Sequence, residues 1–275
     1  MKRTVIAAIV LALACTSAFA QDFTFKYKKD KTYRYGMTSA TAITQEVMGK
    51  EMKINVNSDM IYHIDIRDVN AQGDITYIAA IDSSKQTVHN PMKDTTIVGG
   101  ESIGKRVELK ISKEGKKLSA TILDSIAVNP MGGGDQRLQA FREHQLDASA
   151  SAKTGSTWNA ATIDTVNQSG LKLVVDSKSV YTVKGKESKA GHDCVVVEYT
   201  GTMKLDGKGA MMGMNMTAEG NGKIAGTFYF DTAAGVVIND DSKTDLDMTI
   251  ATTGQQQMVI PVTQTVKMTR TLLGN

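Results

Sequence analysis

Hydrophobic and polar residues alternate along most of this chain with a period of two. Tyr33, Tyr35, Met37, Thr41, Ile43 and Val47 fall on one face of an extended segment, with Arg34, Thr38, Thr44 and Glu46 on the other. Beyond a turn at Met48-Gly49-Lys50, a face of Met52, Ile54, Val56, Met60, Tyr62, Ile64 and Ile66 opposes one of Lys53, Asn55, Asn57, Asp59, His63, Asp65 and Arg67. Such patterning marks half-buried strands in an antiparallel sheet with one packed and one wet face. Phe23, Phe25 and Tyr27 alternate in the same way, as do Ile75, Tyr77, Ala79 and Ile81, and each set predicts a further strand.

The stretch from Ile224 to Ile238 predicts strand, tight turn, strand. Phe228 and Phe230 share one face of the first strand, and Val236 and Ile238 one face of the second. Between them Asp231 can bond the turn's backbone amides, and Gly235 tolerates a positive φ at the exit. Hairpins are also predicted around Lys113-Glu114-Gly115-Lys116 and Thr252-Thr253-Gly254. The best helix candidate follows Gly132-Gly133-Gly134, where Asp135 can cap and Leu138, Phe141 and Leu146 form a weak apolar stripe. The expected fold is mainly β, with long antiparallel strands in two similar halves, a curved sheet or half-barrel, and one short helix in the middle. The halves are expected at 21–130 and 157–275, joined by a helix and linker at 131–156.

The N-terminus sets the compartment. Lys2 and Arg3, the apolar run from Val5 to Ala14 and the small-residue site Ala18-Phe19-Ala20 mark 1–20 as a signal peptide cleaved before Gln21. Lipid attachment at Cys15 fits less well, because Ala12 stands where such signals favour a large aliphatic residue. The expected location is therefore the periplasm or the exterior, and no later stretch is apolar enough to span a bilayer. Cleavage leaves Cys194 as the one cysteine, so no internal disulfide forms. It also leaves 30 basic residues against 29 acidic ones. That balance, without a basic cluster, argues against nucleic acid and against anionic membrane surfaces as partners.

Candidate chemistry is sparse. Gly100-Glu101-Ser102-Ile103-Gly104 matches a nucleophile-elbow pattern, but such an elbow needs a strand before the serine and a helix after it. Here the following residues alternate like a strand, so a loop is expected. His63, His89, His144 and His192 lack metal-ligand spacing, and Glu143-His144 reads as a solvated surface pair. Asp240, Asp241, Asp245 and Asp247 read as the two faces of a wet edge strand. The most distinctive composition is Met211-Met212-Gly213-Met214-Asn215-Met216. Met212, Met214 and Met216 would share one face of a strand, as an adaptable apolar ligand-binding surface or, alternatively, as soft ligands for Cu(I). No catalytic set and no cofactor motif is evident, and a non-enzymatic protein is expected.

Lys26-Tyr27-x-x-x-Lys31-x-Tyr33-x-Tyr35, Gln45-x-x-Met48-Gly49, Gly155-Ser156-Thr157-Trp158 and Phe230-Asp231-x-x-x-Gly235 together resemble a family of exported, lipoprotein-like bacterial proteins of unknown function. The resemblance implies a secreted, two-part β fold and brings no activity. In architecture the long curved strands look like the half-barrels of lipoprotein-carrier proteins, which hold acyl chains. The expected function is binding of an apolar or amphipathic molecule, or of an envelope protein. A structural or assembly role in the cell envelope is the alternative.

Overall fold

Twelve strands form one antiparallel sheet whose order is β6-β5-β3-β2-β1-β12-β11-β10-β9-β8-β7, with β4 pairing on β3. In chain order they are β1 (Thr32–Val47), β2 (Lys50–Val69), β3 (Ile75–His89), β4 (Thr95–Val98), β5 (Val107–Ile111), β6 (Lys117–Ile122), β7 (Thr157–Gln168), β8 (Leu171–Lys189), β9 (His192–Met211), β10 (Met214–Asp231), β11 (Val236–Thr253) and β12 (Met258–Gly274). This computed structural model describes residues 23–47, 49–126, 137–149, 153–168, 171–211, 214–253 and 257–274. The expected signal peptide, Cys15 and Met212 lie outside them.

The topology is two meanders joined at the centre. The chain steps outward from β1 to the edge strand β6, crosses to the opposite edge at β7, and steps back to β12, which pairs with β1 from Arg34↔Gly274 to Gln45↔Val262. The mainly β fold of long antiparallel strands is thus observed, as one continuous sheet. Its helical content among the described residues is a single turn, α1 (Arg137–Ala140). Phe141 to Leu146 run on without regular structure, because their backbone groups bond outward. Tyr77 Oη donates to Phe141 O at 2.8 Å, Trp158 Nε1 donates to Gln145 O at 2.9 Å, and Leu146 N donates to Glu114 O at 2.7 Å.

Register assigns every strand residue a face. Tyr35 opposes Tyr62, Met37 opposes Met60 and Arg270, and Arg270 opposes Asp240, so this row faces inward. At one end the inward row is a closed aromatic core. Phe23 meets Phe230 and Trp158 edge-on at 5.0 and 5.2 Å, and Trp158 stacks on Tyr181 at 5.0 Å. The segment predicted as a strand at Phe23 to Tyr27 is extended and buried but joins no ladder. Instead Phe25 N bonds Lys113 O and Lys26 N bonds Gly235 O, corking that end between two turns.

The hairpin at Asp231 has the predicted chemistry. Asp231 Oδ1 accepts from the amides of Ala233 and Ala234, both at 2.9 Å, and Gly235 has φ +67°. Gly100 to Gly104 forms a turn fastened by Gly104 N to Ile81 O, with strand β5 after it, so the serine sits in a loop as expected.

Candidate functional site

Above the aromatic core the inner face continues without interruption along the long strands. Every methionine whose side chain is described within a strand belongs to it: Met37, Met52, Met60, Met203, Met216, Met248, Met258 and Met268. The opposite rows carry Asn57 and Asp59, Lys204 and Asp206, Lys243 and Asp245, and Lys267. The inner rows thus carry these methionines and the outer rows most of the lysines and aspartates. Glycines set the curvature of its inner wall at β9 and β10. A Cβ on Gly226 would fall 2.5 Å from Tyr199, and one on Gly222 would fall 2.7 Å from Met203, so larger residues there would push the wall open.

The crossover segment 137–147 fills the concavity at its closed end, and its polar side chains make long-range pairs. Glu143 and Arg270 are almost wholly out of water and 3.1 Å apart, and Tyr27 Oη donates to the second Glu143 oxygen at 2.8 Å. Burial by itself would lower the Arg270 pKa, but Glu143, Tyr62 and Asp240 more than offset it and raise it. Burial pushes Tyr62 up to about 12 and also raises Tyr27, Tyr35 and Tyr77, so these hydroxyls stay protonated. His144 stacks on Phe228 at 4.3 Å, with its Nε2 3.0 Å from Asp240 Oδ2, while Tyr199 Oη donates to Asp240 Oδ1 at 3.1 Å. Burial would raise the Asp240 pKa, yet His144, Arg270 and Tyr199 hold it below the usual carboxylate range.

These contacts correct two sequence expectations. Glu143 and His144 form the buried heart of the segment and are not a solvated pair. Strand β11 is interior, between β10 and β12, and Asp240 on it is 4% exposed. Neither partner set could be read locally, because the bonds span 96 and 127 positions. The one local signal was an acidic residue among apolar neighbours in Val236-Val237-Ile238-Asn239-Asp240.

A cavity of about 470 Å³ opens beside this segment on the inner face. Met37, Ile111, Ile224 and Met268 give it apolar walls, and Lys117, Arg142 and His144 also line it. Lys117 and Arg142 both bond the buried carboxylate of Asp164, across the gap where edge strands β6 and β7 approach without pairing. Burial alone would raise the Asp164 pKa, but these two cations lower it. Two larger hollows, about 770 and 860 Å³, are open depressions among the outer rows, including Asp59, Lys243 and Lys267 in one and Lys178, Lys223 and Asp245 in the other.

Of the three methionines singled out by sequence, Met214 begins β10 opposite Met211, and Met216 packs beside Leu171, Leu173 and Ala218. That setting is apolar. Among the described residues no group of three His, Cys, Asp or Glu could hold a metal.

Compared with protein-family models and with curated proteins, the chain matches none. Among solved structures it is similar to an outer membrane channel from Pseudomonas putida F1, at 8% identity and TM-score 0.29 over 92% of this chain and 98% of that one. It is similar also to OccK2 of Pseudomonas aeruginosa in complex with glucuronate, at 7% identity and TM-score 0.27 over 90% and 100%. A BenF-like porin from Pseudomonas fluorescens Pf-5 follows at 7% identity and TM-score 0.24, over 89% and 100%. At these scores the likeness carries no argument. Among the described residues no helix is long and apolar enough to cross a membrane.

Proposed function

We propose that this is an exported, non-catalytic β protein that binds an apolar or amphipathic molecule against the inner face of its sheet. The observation that carries the reading is the sorting of side chains: the methionines described within strands all lie on the inner face, among other apolar residues, glycine, serine and threonine, while lysine and aspartate lie on the outer rows. A barrel that spans a membrane has the reverse arrangement, an apolar outer band around a polar interior. Charged outer rows suit a protein in water with its apolar surface reserved for a ligand. Methionine suits such a wall because its flexible, polarizable side chain adapts to different shapes. The signal-like N-terminus supports export.

The test uses purified, delipidated protein and the neutral fluorescent probe N-phenyl-1-naphthylamine. Saturable binding is expected, with Met268→Asp weakening it and Lys267→Ala, on the outer face of the same strand, leaving it unchanged. Absence of binding at probe concentrations on the order of tens of micromolar would refute the reading.

One observation favours a second reading, an assembly role through strand pairing. Strand β7 is an edge, and Ile163 on it is 73% exposed. Exposed apolar edges invite added strands. A strictly monomeric protein that captures no envelope component would dispose of that reading.

A further inference from the structure

We infer that the inner cavity selects amphiphiles with a single-chain tail and an anionic head, seating the head at Lys117 and Arg142. The inference rests on the ligand-binding reading above and deepens it.

The charges immediately around Asp164 are not evenly matched. Glu143 is held by Arg270 and by the Tyr27 hydroxyl, and Asp240 by His144 and the Tyr199 hydroxyl. Both acids have their hydrogen-bond partners inside the core. Lys117 and Arg142, by contrast, share one carboxylate, with Asp164 Oδ1 accepting from the lysine and Oδ2 from the arginine. Two cations on one anion leave a unit of positive charge, and among the described residues neither cation has another carboxylate partner.

The geometry of exposure points the same way. The Asp164 side chain is 8% exposed, whereas those of Lys117 and Arg142 are 39% and 28% exposed. The carboxylate thus anchors the cations from beneath, and their remaining N–H groups stay available at the cavity. A lysine has three donors and an arginine five, so each can bond Asp164 and still meet a second anion. Apolar walls around them reduce solvent screening, which strengthens a charge-assisted bond relative to one on an open surface. From that point Met37, Met268 and Ile224 continue as apolar wall where a tail would lie. A carboxylate or a phosphate monoester head satisfies the same donors.

The experiment is displacement of the neutral probe from full-length delipidated protein by twelve-carbon amphiphiles of different charge. Dodecanoate and dodecyl phosphate are expected to compete at about tenfold lower concentration than dodecanol, the effect of one added charge-assisted bond, with dodecyltrimethylammonium weakest. Comparison of the two anions separates a carboxylate source from a phosphate one. Lys117→Met should abolish the preference for anions, and Asp164→Asn should enlarge it by freeing both cations. If either variant fails to fold, Lys117→Gln and the wild-type series at low and high salt carry the test, since the preference must fall as salt rises. Equal competition by charged and neutral amphiphiles, with the probe still bound, overturns the headgroup site and leaves the apolar wall standing. Failure of the probe to bind at all overturns both.

Discussion

The guanidinium of Arg270 and the carboxylate of Glu143 lie 3.1 Å apart although 127 residues separate them in sequence, and both are nearly inaccessible to water. The pair fastens the crossover segment to the last strand. A buried ion pair gains little over an apolar pair, but breaking one side leaves an uncompensated charge. Glu143→Gln or Arg270→Met alone should therefore lose about 3–5 kcal/mol. The double variant should lose less than the sum of the two. Urea unfolding followed by fluorescence of Trp158, the one tryptophan, measures both; strictly additive losses would contradict the pairing.

Glycine at the inner wall is expected to matter by position. Gly226→Ala places a methyl group 2.5 Å from Tyr199 and 2.6 Å from the Asp241 carbonyl, whereas Gly36→Ala meets only Leu273, at 3.5 Å. The first should cost about 1–3 kcal/mol and the second at most about 0.5 kcal/mol. Equal losses would show that curvature at β10 does not depend on the missing side chain.

Much of this architecture was legible in the sequence. The alternation from Tyr33 to Ile66 gave the correct faces because one side of the sheet is packed and the other wet, and the Asp231 turn was read from local chemistry alone. The site was less legible. Its polar members, Glu143, His144 and Asp240, look like surface residues until the crossover segment is laid inside the sheet, and that placement is decided by partners far away in sequence. The methionine segment 211–216 drew attention by density, whereas the wall is built from methionines spread one or two to a strand.

Acid should loosen the crossover segment. Asp240 and Asp164 both have carboxyl groups whose tendency to rise on burial is outweighed, by His144 and Arg270 in one case and by Lys117 and Arg142 in the other. A depressed carboxylate contributes stability that is full above its unfolded-state pKa, about 3.9 for Asp, and is lost as the pH falls through the lower folded value. The urea midpoint should thus hold near neutrality and drop below about pH 4. In Asp240→Asn the drop should be shallower from a lower starting point; an unchanged acid slope would remove Asp240 from the account.

Cys194 should behave as a core residue. Burial, aided by the Asp231 charge, pushes its thiol pKa up to about 11. At pH 8 a disulfide reagent should label it only as fast as the protein opens, and urea should accelerate labelling to the rate of an open chain. Rapid labelling of the native protein would contradict this burial.

The central ladder between β1 and β12 unites the earliest and latest strands of the chain. During synthesis β1 can pair with β2 almost at once, but its other edge has no partner until residues 258–274 emerge. Non-local pairings of this kind form late, and the unpaired edges that precede them are exposed to aggregation. The growing chain therefore carries an open strand edge until residues 258–274 are present, and the sheet is completed only then. A stop codon before β12 would do more than shorten the protein: it would leave both β1 and β11 as bare edges in the middle of the fold.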